Sequence, residues 1–91
     1  EVNVTGHIVS DTTNTKDLGS ATNSWRNVYA TELRNTGDRI NIATTLTPAT
    51  SVGAAGDEAG DIAIDANYIY YATAAYDGTS NIWKRAALAS F

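Results

Sequence analysis

Asp57, Glu58, Asp61 and Asp65 stand in one short stretch beside Gly56 and Gly60. Carboxylates placed this way suit two kinds of chemistry. Oxygen ligands on a flexible glycine-rich loop fit calcium, although this spacing matches no EF-hand loop. A pair such as Asp61 and Asp65 has the residue types of a glycosidase acid and base. Against both stands a plainer use, in which the same side chains cap turns and keep a loop solvated. Tyr68, Tyr70, Tyr71, Tyr76 and Trp83 then concentrate the aromatic content. Aromatic faces beside Asp and Asn suit a sugar ring, whose CH face stacks on the π-system while its hydroxyls hydrogen-bond. In a strand Tyr68 and Tyr70 share one face and Ile69 and Tyr71 the other, so one set belongs to a core or a subunit interface. Tyr76, Asp77 and Asn81 fall near an expected loop and are the candidate exposed contacts for a ligand.

Other chemistry has little to build on. His7 is the only histidine, and without a His-X-His pair its plainer reading is a polar residue in a solvated strand. Cysteine is absent, which removes thiolate nucleophiles, disulfides and Cys-rich metal sites together. No serine sits in a nucleophile-elbow motif, and a chain this short has little room for the shell that raises an acid's pKa. The expectation is therefore a protein that is not an enzyme, with no assigned catalytic residue, metal or cofactor. The net charge of −4, with Lys84-Arg85 as the one basic doublet, is the wrong balance for a phosphate backbone, so no nucleic acid partner is expected. No apolar run approaches the roughly 20 residues of a membrane span, and no membrane insertion is expected.

The elements that must position these residues are short. Val2, Val4, Ile8 and Val9 read as a strand followed by the turn-formers of SDTTNTKD. In DLGSATNSWRNVYATELR, Trp25, Val28, Tyr29 and Leu33 form a thin apolar stripe that helical and strand periods fit almost equally. A short helical turn near residues 23–30, capped by Ser20, Thr22 or Asn23, followed by extended chain, is the favoured reading. Asn35 to Asp38 signals a turn and RINIATTL a strand. The run PATSVGAAGDEAG is the strongest change of composition, and the module boundary is placed there, between 1–47 and 48–91. Beyond it, Ile62 and Ile64, YIYYATA and NIWKRAAL, separated by turns at Ala66-Asn67 and Asp77-Gly78, predict a three-stranded antiparallel β-meander. Such a meander has a face to bury and no later element to cover it.

A chain of 91 residues with Ala as its main apolar residue, one Phe, two Trp and no Met is poorly supplied for a core. Ordering costs about 1.5 kcal/mol per residue and apolar burial returns about 25 cal/mol per Å², so oligomerisation is the expected compensation. The absence of a Met at Glu1 reads as a segment of something longer.

At the level of motif, DLGSATNSWRNVYA resembles the LGS, Trp and Tyr-Ala pattern of bacteriophage tail fibres and tail spikes, and TGHIVSDTTNTKD is similar to the segment that precedes it there. AGDEAGDIAIDANYIYYATAAYDGTSNIWKRAAL resembles a Gly-Asp-rich terminal module of such virion proteins. The Ser and Lys signature of the self-cleaving chaperone that often follows the first motif is not seen. The resemblance implies a mainly β, parallel homotrimer in an extracellular virion fibre: an interwoven shaft over 1–47 and a small antiparallel head over 48–91. It makes Trp25, Val28, Tyr29 and Leu33 layers of a trimer core, with Gly19, Ser20, Ala21 and Ala30 allowing close approach. Three copies of His7 would then stand at one level, as in trimeric fibres that hold an ion, although a solvated polar residue is the reading favoured and no metal is assigned. The implied function is recognition of a host cell-surface polysaccharide or protein receptor. The alternatives are a purely structural trimerisation and capping module and, more remotely, a fragment of a polysaccharide-degrading spike.

Overall fold

The structure, a computed structural model, describes all 91 residues. The chain divides into two units, Glu1–Arg34 and Asn35–Phe91. The division falls ahead of the composition change at Pro48, because residues 46 and 47 bond to the sheet: the Leu46 amide donates to the Ile64 carbonyl at 3.0 Å.

Regular structure is confined to the second unit. Strands β1 (Ile62–Ile64), β2 (Tyr68–Ala72) and β3 (Trp83–Ala87) pair antiparallel in the order β1-β2-β3. Ile62, Ala63 and Ile64 face Tyr71, Tyr70 and Ile69, and Tyr70 in turn faces Arg85. The protein is thus mainly β, without a helix. The first turn forms where Ala66-Asn67 places it: Asp65 accepts from the Asn67 and Tyr68 amides through Oδ1, an Asx-type turn. The second forms around Gly78, at φ 83°.

The core is Ala63, Tyr70, Ala72, Ile82 and Trp83, with Tyr68 packed against it. Its composition corrects the face that alternation suggests. Ala63 points inward, and the larger Ile62, Ile69 and Tyr71 stand on the opposite, uncovered face. The covered face receives its lid from a preceding segment rather than a later one: the loop from Leu46 to Asp57 lies against Trp83. One carbonyl closes it, since Ser51 O accepts from both the Ile82 and Trp83 amides at 2.8 and 2.9 Å. Ile82, the residue before β3, and Trp83, its first residue, are both buried, because alternation applies only within the strand.

Three expected elements are absent. Residues 2–9 and the RINIATTL segment form no strand, and residues 23–30 form no helical turn. Residues 2–9 make no backbone hydrogen bond to a strand and RINIATTL makes one, from Leu46 to Ile64, and a single bond does not make a ladder. At the third, the caps turn the chain without starting a helix: the Ser20 amide donates to Asn23 O at 3.1 Å and the Asn23 amide to Ser20 Oγ at 3.0 Å. Gly19 at φ 85° packs under Trp25, where a Cβ would meet Cδ1 at 3.2 Å. The LGS and Trp parts of the motif are therefore one local unit, a turn with an indole laid across its glycine. The expected turn at Asn35 is present, with the Asn35 side chain accepting from Gly37 N and donating to Arg39 O.

Candidate functional site

The second unit carries three aspartates that organise its loops, and each accepts from two or more of this chain's own donors. Asp65 sits at the β1–β2 corner and gathers four: the Asn67 and Tyr68 amides on Oδ1, and on Oδ2 the Thr47 hydroxyl at 2.5 Å and the Tyr70 hydroxyl at 2.6 Å. Those donors favour the carboxylate, Thr47 and Tyr70 most, and hold the Asp65 pKa well below the ordinary aspartate range. The same contact raises the Tyr70 hydroxyl pKa, because the phenolate would face a carboxylate. Asp57 accepts from the Trp83 indole at 3.0 Å and the Ala54 amide at 2.8 Å, which lower its pKa in that order.

Asp77 performs the same task in the loop between β2 and β3. It accepts from the Ser80 hydroxyl at 2.6 Å, the Ser80 amide at 2.7 Å and the Thr79 amide at 2.9 Å, and its pKa is well below the ordinary range, led by the Ser80 hydroxyl. Of the other expected receptor contacts, Asn81 accepts from Ser51 Oγ at 2.7 Å, and Tyr76 is exposed with its amide donating to Asp57 O at 3.0 Å. The three belong to one loop, and two of them spend polar atoms holding it in shape. A ligand there would find the Tyr76 ring and the Asn81 amide nitrogen, not the Asp77 carboxylate.

The acidic stretch does not converge. Asp57 turns toward Trp83, Asp61 accepts from the Glu58 amide at 2.9 Å, and Asp65 turns toward Thr47 and Tyr70. No group of three His, Cys, Asp or Glu is placed to hold a metal ion, and His7 stands alone and exposed. For the Asp61 and Asp65 pair, a carboxylate held ionised by four donors is the opposite of a proton-donating acid.

In the first unit Trp25, Val28, Tyr29 and Leu33 are 65, 67, 91 and 85% exposed, and no residue of Glu1–Arg34 is buried. Trp25 and Val28 border an open concavity with Leu18 and Gly19.

A cleft of about 310 Å³ lies where the lid meets the sheet, between Pro48–Ser51 and the side chains of Tyr70, Trp83 and Arg85. Ser51, Gly53 and Arg85, which shape this region, were not singled out by spacing. Gly53 is one of several similar glycines, and Arg85 reads as half of a basic doublet. The usable signal was strand parity, which puts Arg85, and not Lys84, on the Tyr68 and Tyr70 side. Arg85 spreads its guanidinium 4.1 Å above the Tyr68 ring. Compared with known protein families, curated proteins and solved structures, the chain matches none.

Proposed function

We propose that the chain is a non-catalytic terminal segment of a homotrimeric phage tail fibre, with a shaft-forming part ahead of Pro48 and a meander head that meets a host polysaccharide or protein receptor. The observation that carries this reading is the exposure of Trp25, Val28, Tyr29 and Leu33 in a unit without one buried residue. Four large apolar side chains on one short segment stand in water, and copies of the same chain around an axis are the economical cover. The uncovered sheet face of Ile62, Ile69 and Tyr71 has the same need. The fibre context comes from the LGS, Trp and Tyr-Ala motif, whose Gly19 and Trp25 pack as a pair.

The purely structural alternative is favoured by one observation, the internal use of Asp77 and Asn81. Two measurements separate the readings. Light scattering at low micromolar concentration gives the mass, and a monomer would overturn the trimer. Adsorption to host cells after Tyr76→Ala, with the trimer intact, falls if the loop contacts a receptor and is unchanged if the head only caps the fibre.

A further inference from the structure

We infer that the cleft between the Pro48–Ser51 lid and β3 binds the carboxylate of an acidic sugar, with Arg85 as its partner. The inference rests on the receptor reading above and names the chemical class of the receptor.

One charged group on this cleft lacks a hydrogen-bond partner. The Tyr70 hydroxyl is committed to Asp65 and the Trp83 indole N–H to Asp57, so both acids and both aromatic polar groups are satisfied within the protein. Arg85 is not. None of the chain's ion pairs includes it, and its side chain makes no hydrogen bond. It is nevertheless held in place, with its guanidinium carbon 4.1 Å from the centre of the Tyr68 ring and its backbone opposite Tyr70. A stacked guanidinium keeps its N–H donors in a fixed fork, whose geometry matches a carboxylate through two parallel hydrogen bonds.

The surroundings specify more than an anion. Tyr70 and Trp83 meet edge to face at 89°, with centroids 6.5 Å apart, and make an apolar corner beside the charge. Both rings are core residues, 4% and 8% exposed, so they meet the cleft along a narrow apolar edge and not with an open ring face. Hydroxyl partners stand on the lid: Thr50 Oγ1 accepts from the Val52 amide and keeps its own proton to donate, and Ser51 Oγ donates to Asn81 Oδ1 and keeps a lone pair to accept. The volume is at the small end of the about 300–1,000 Å³ range of ligand pockets, which suits one sugar ring of a longer chain. A guanidinium with free N–H donors, a narrow apolar edge and flanking lid hydroxyls together suit a hexuronic acid residue of an acidic polysaccharide. The net charge of −4 opposes any anion at a distance, so affinity rests on the short-range contact with Arg85.

The test is titration of the full chain with tri-galacturonate, followed by calorimetry and by the Trp83 indole N–H resonance. Saturable binding is expected, at least tenfold weaker for maltotriose and for the methyl ester of tri-galacturonate, which loses only the charge. Arg85→Gln should weaken binding at least tenfold with the melting temperature kept, and Arg85→Lys several-fold, since a point charge cannot form the fork. Absence of saturable binding, or equal binding of the methyl ester, overturns the inference without depending on a variant that folds. Equal binding of tri-glutamate overturns the sugar assignment in favour of an acidic peptide. Host adsorption separates the two proposals. Tri-galacturonate binding that leaves adsorption untouched removes the receptor role and keeps the site, while adsorption lost on Tyr76→Ala without any tri-galacturonate binding keeps the receptor role and removes the site.

Discussion

The Trp83 indole donates to Asp57 Oδ2 at 3.0 Å directly above Gly53, whose missing side chain leaves the room: a Cβ there would stand 2.8 Å from Nε1 and 2.5 Å from Oδ2. This contact fastens the lid to the first residue of β3. Its geometry separates Gly53 from the neighbouring glycines, which share a positive φ but meet nothing.

Gly53→Ala is accordingly expected to destabilise more than Gly56→Ala or Gly60→Ala. All three place a Cβ at positive φ, a strain of about 1–2 kcal/mol, but only Gly53 adds a clash with the lid contact. Urea melts of the three variants check this, and equal losses would show that the lid moves aside freely.

Trp83→Ala removes the largest core side chain together with the indole donor, for an expected loss of about 3–5 kcal/mol. Trp83→Phe keeps most of the volume and should lose less, with Asp57 then lacking its indole partner. Thermal melts of the pair apportion packing and hydrogen bonding, and a Phe variant as unstable as Ala would mean that the hydrogen bond dominates.

The pH dependence has two limbs. Asp57, Asp65 and Asp77 are all lowered from 3.8. A carboxyl group whose folded pKa lies below its unfolded value stabilises fully above the unfolded value and loses this as pH falls through the folded one. Stability should therefore hold at neutral pH and decline progressively below about pH 4. Tyr70 is raised from 10.0, so its contribution is complete below that value and is lost as pH rises through the higher folded pKa. Asp65→Asn should shrink both limbs, because the Thr47 and Tyr70 hydroxyls lower the Asp65 pKa and Asp65 in turn raises that of Tyr70. Melting temperatures across the pH range test it, and an unaltered alkaline limb would refute the coupling.

Trp25→Ala and Leu33→Ala distinguish a lone chain from an assembly. At exposed positions such changes fall within about ±0.5 kcal/mol, whereas a trimer core layer loses three side chains at once. We expect a large, concentration-dependent fall in melting temperature for both variants. An unchanged melt would remove these residues from any core.

The sequence by itself determined the strands and turns of the last third: Asp65 and Asn67 bend the chain, Gly78 takes positive φ, and the aromatic and β-branched segments between them pair. Such signals are legible because they act between residues close along the chain. Tertiary structure decided which face is covered. Alternation marks Ile62 and Ile69 as strongly as Tyr70, but the lid is bonded at Ser51 and Asp57 to the Tyr70 and Trp83 side, and this leaves the isoleucines outside. It also decided the site. Thr47 reaches Asp65 and Ser51 reaches Asn81 from distant parts of the chain, and Arg85 settles on Tyr68 across a strand pair. Strand parity carries the side on which Arg85 stands, but spacing carries neither of the other two contacts, because hydrogen bonds between distant residues are fixed by where the lid closes and not by the local period.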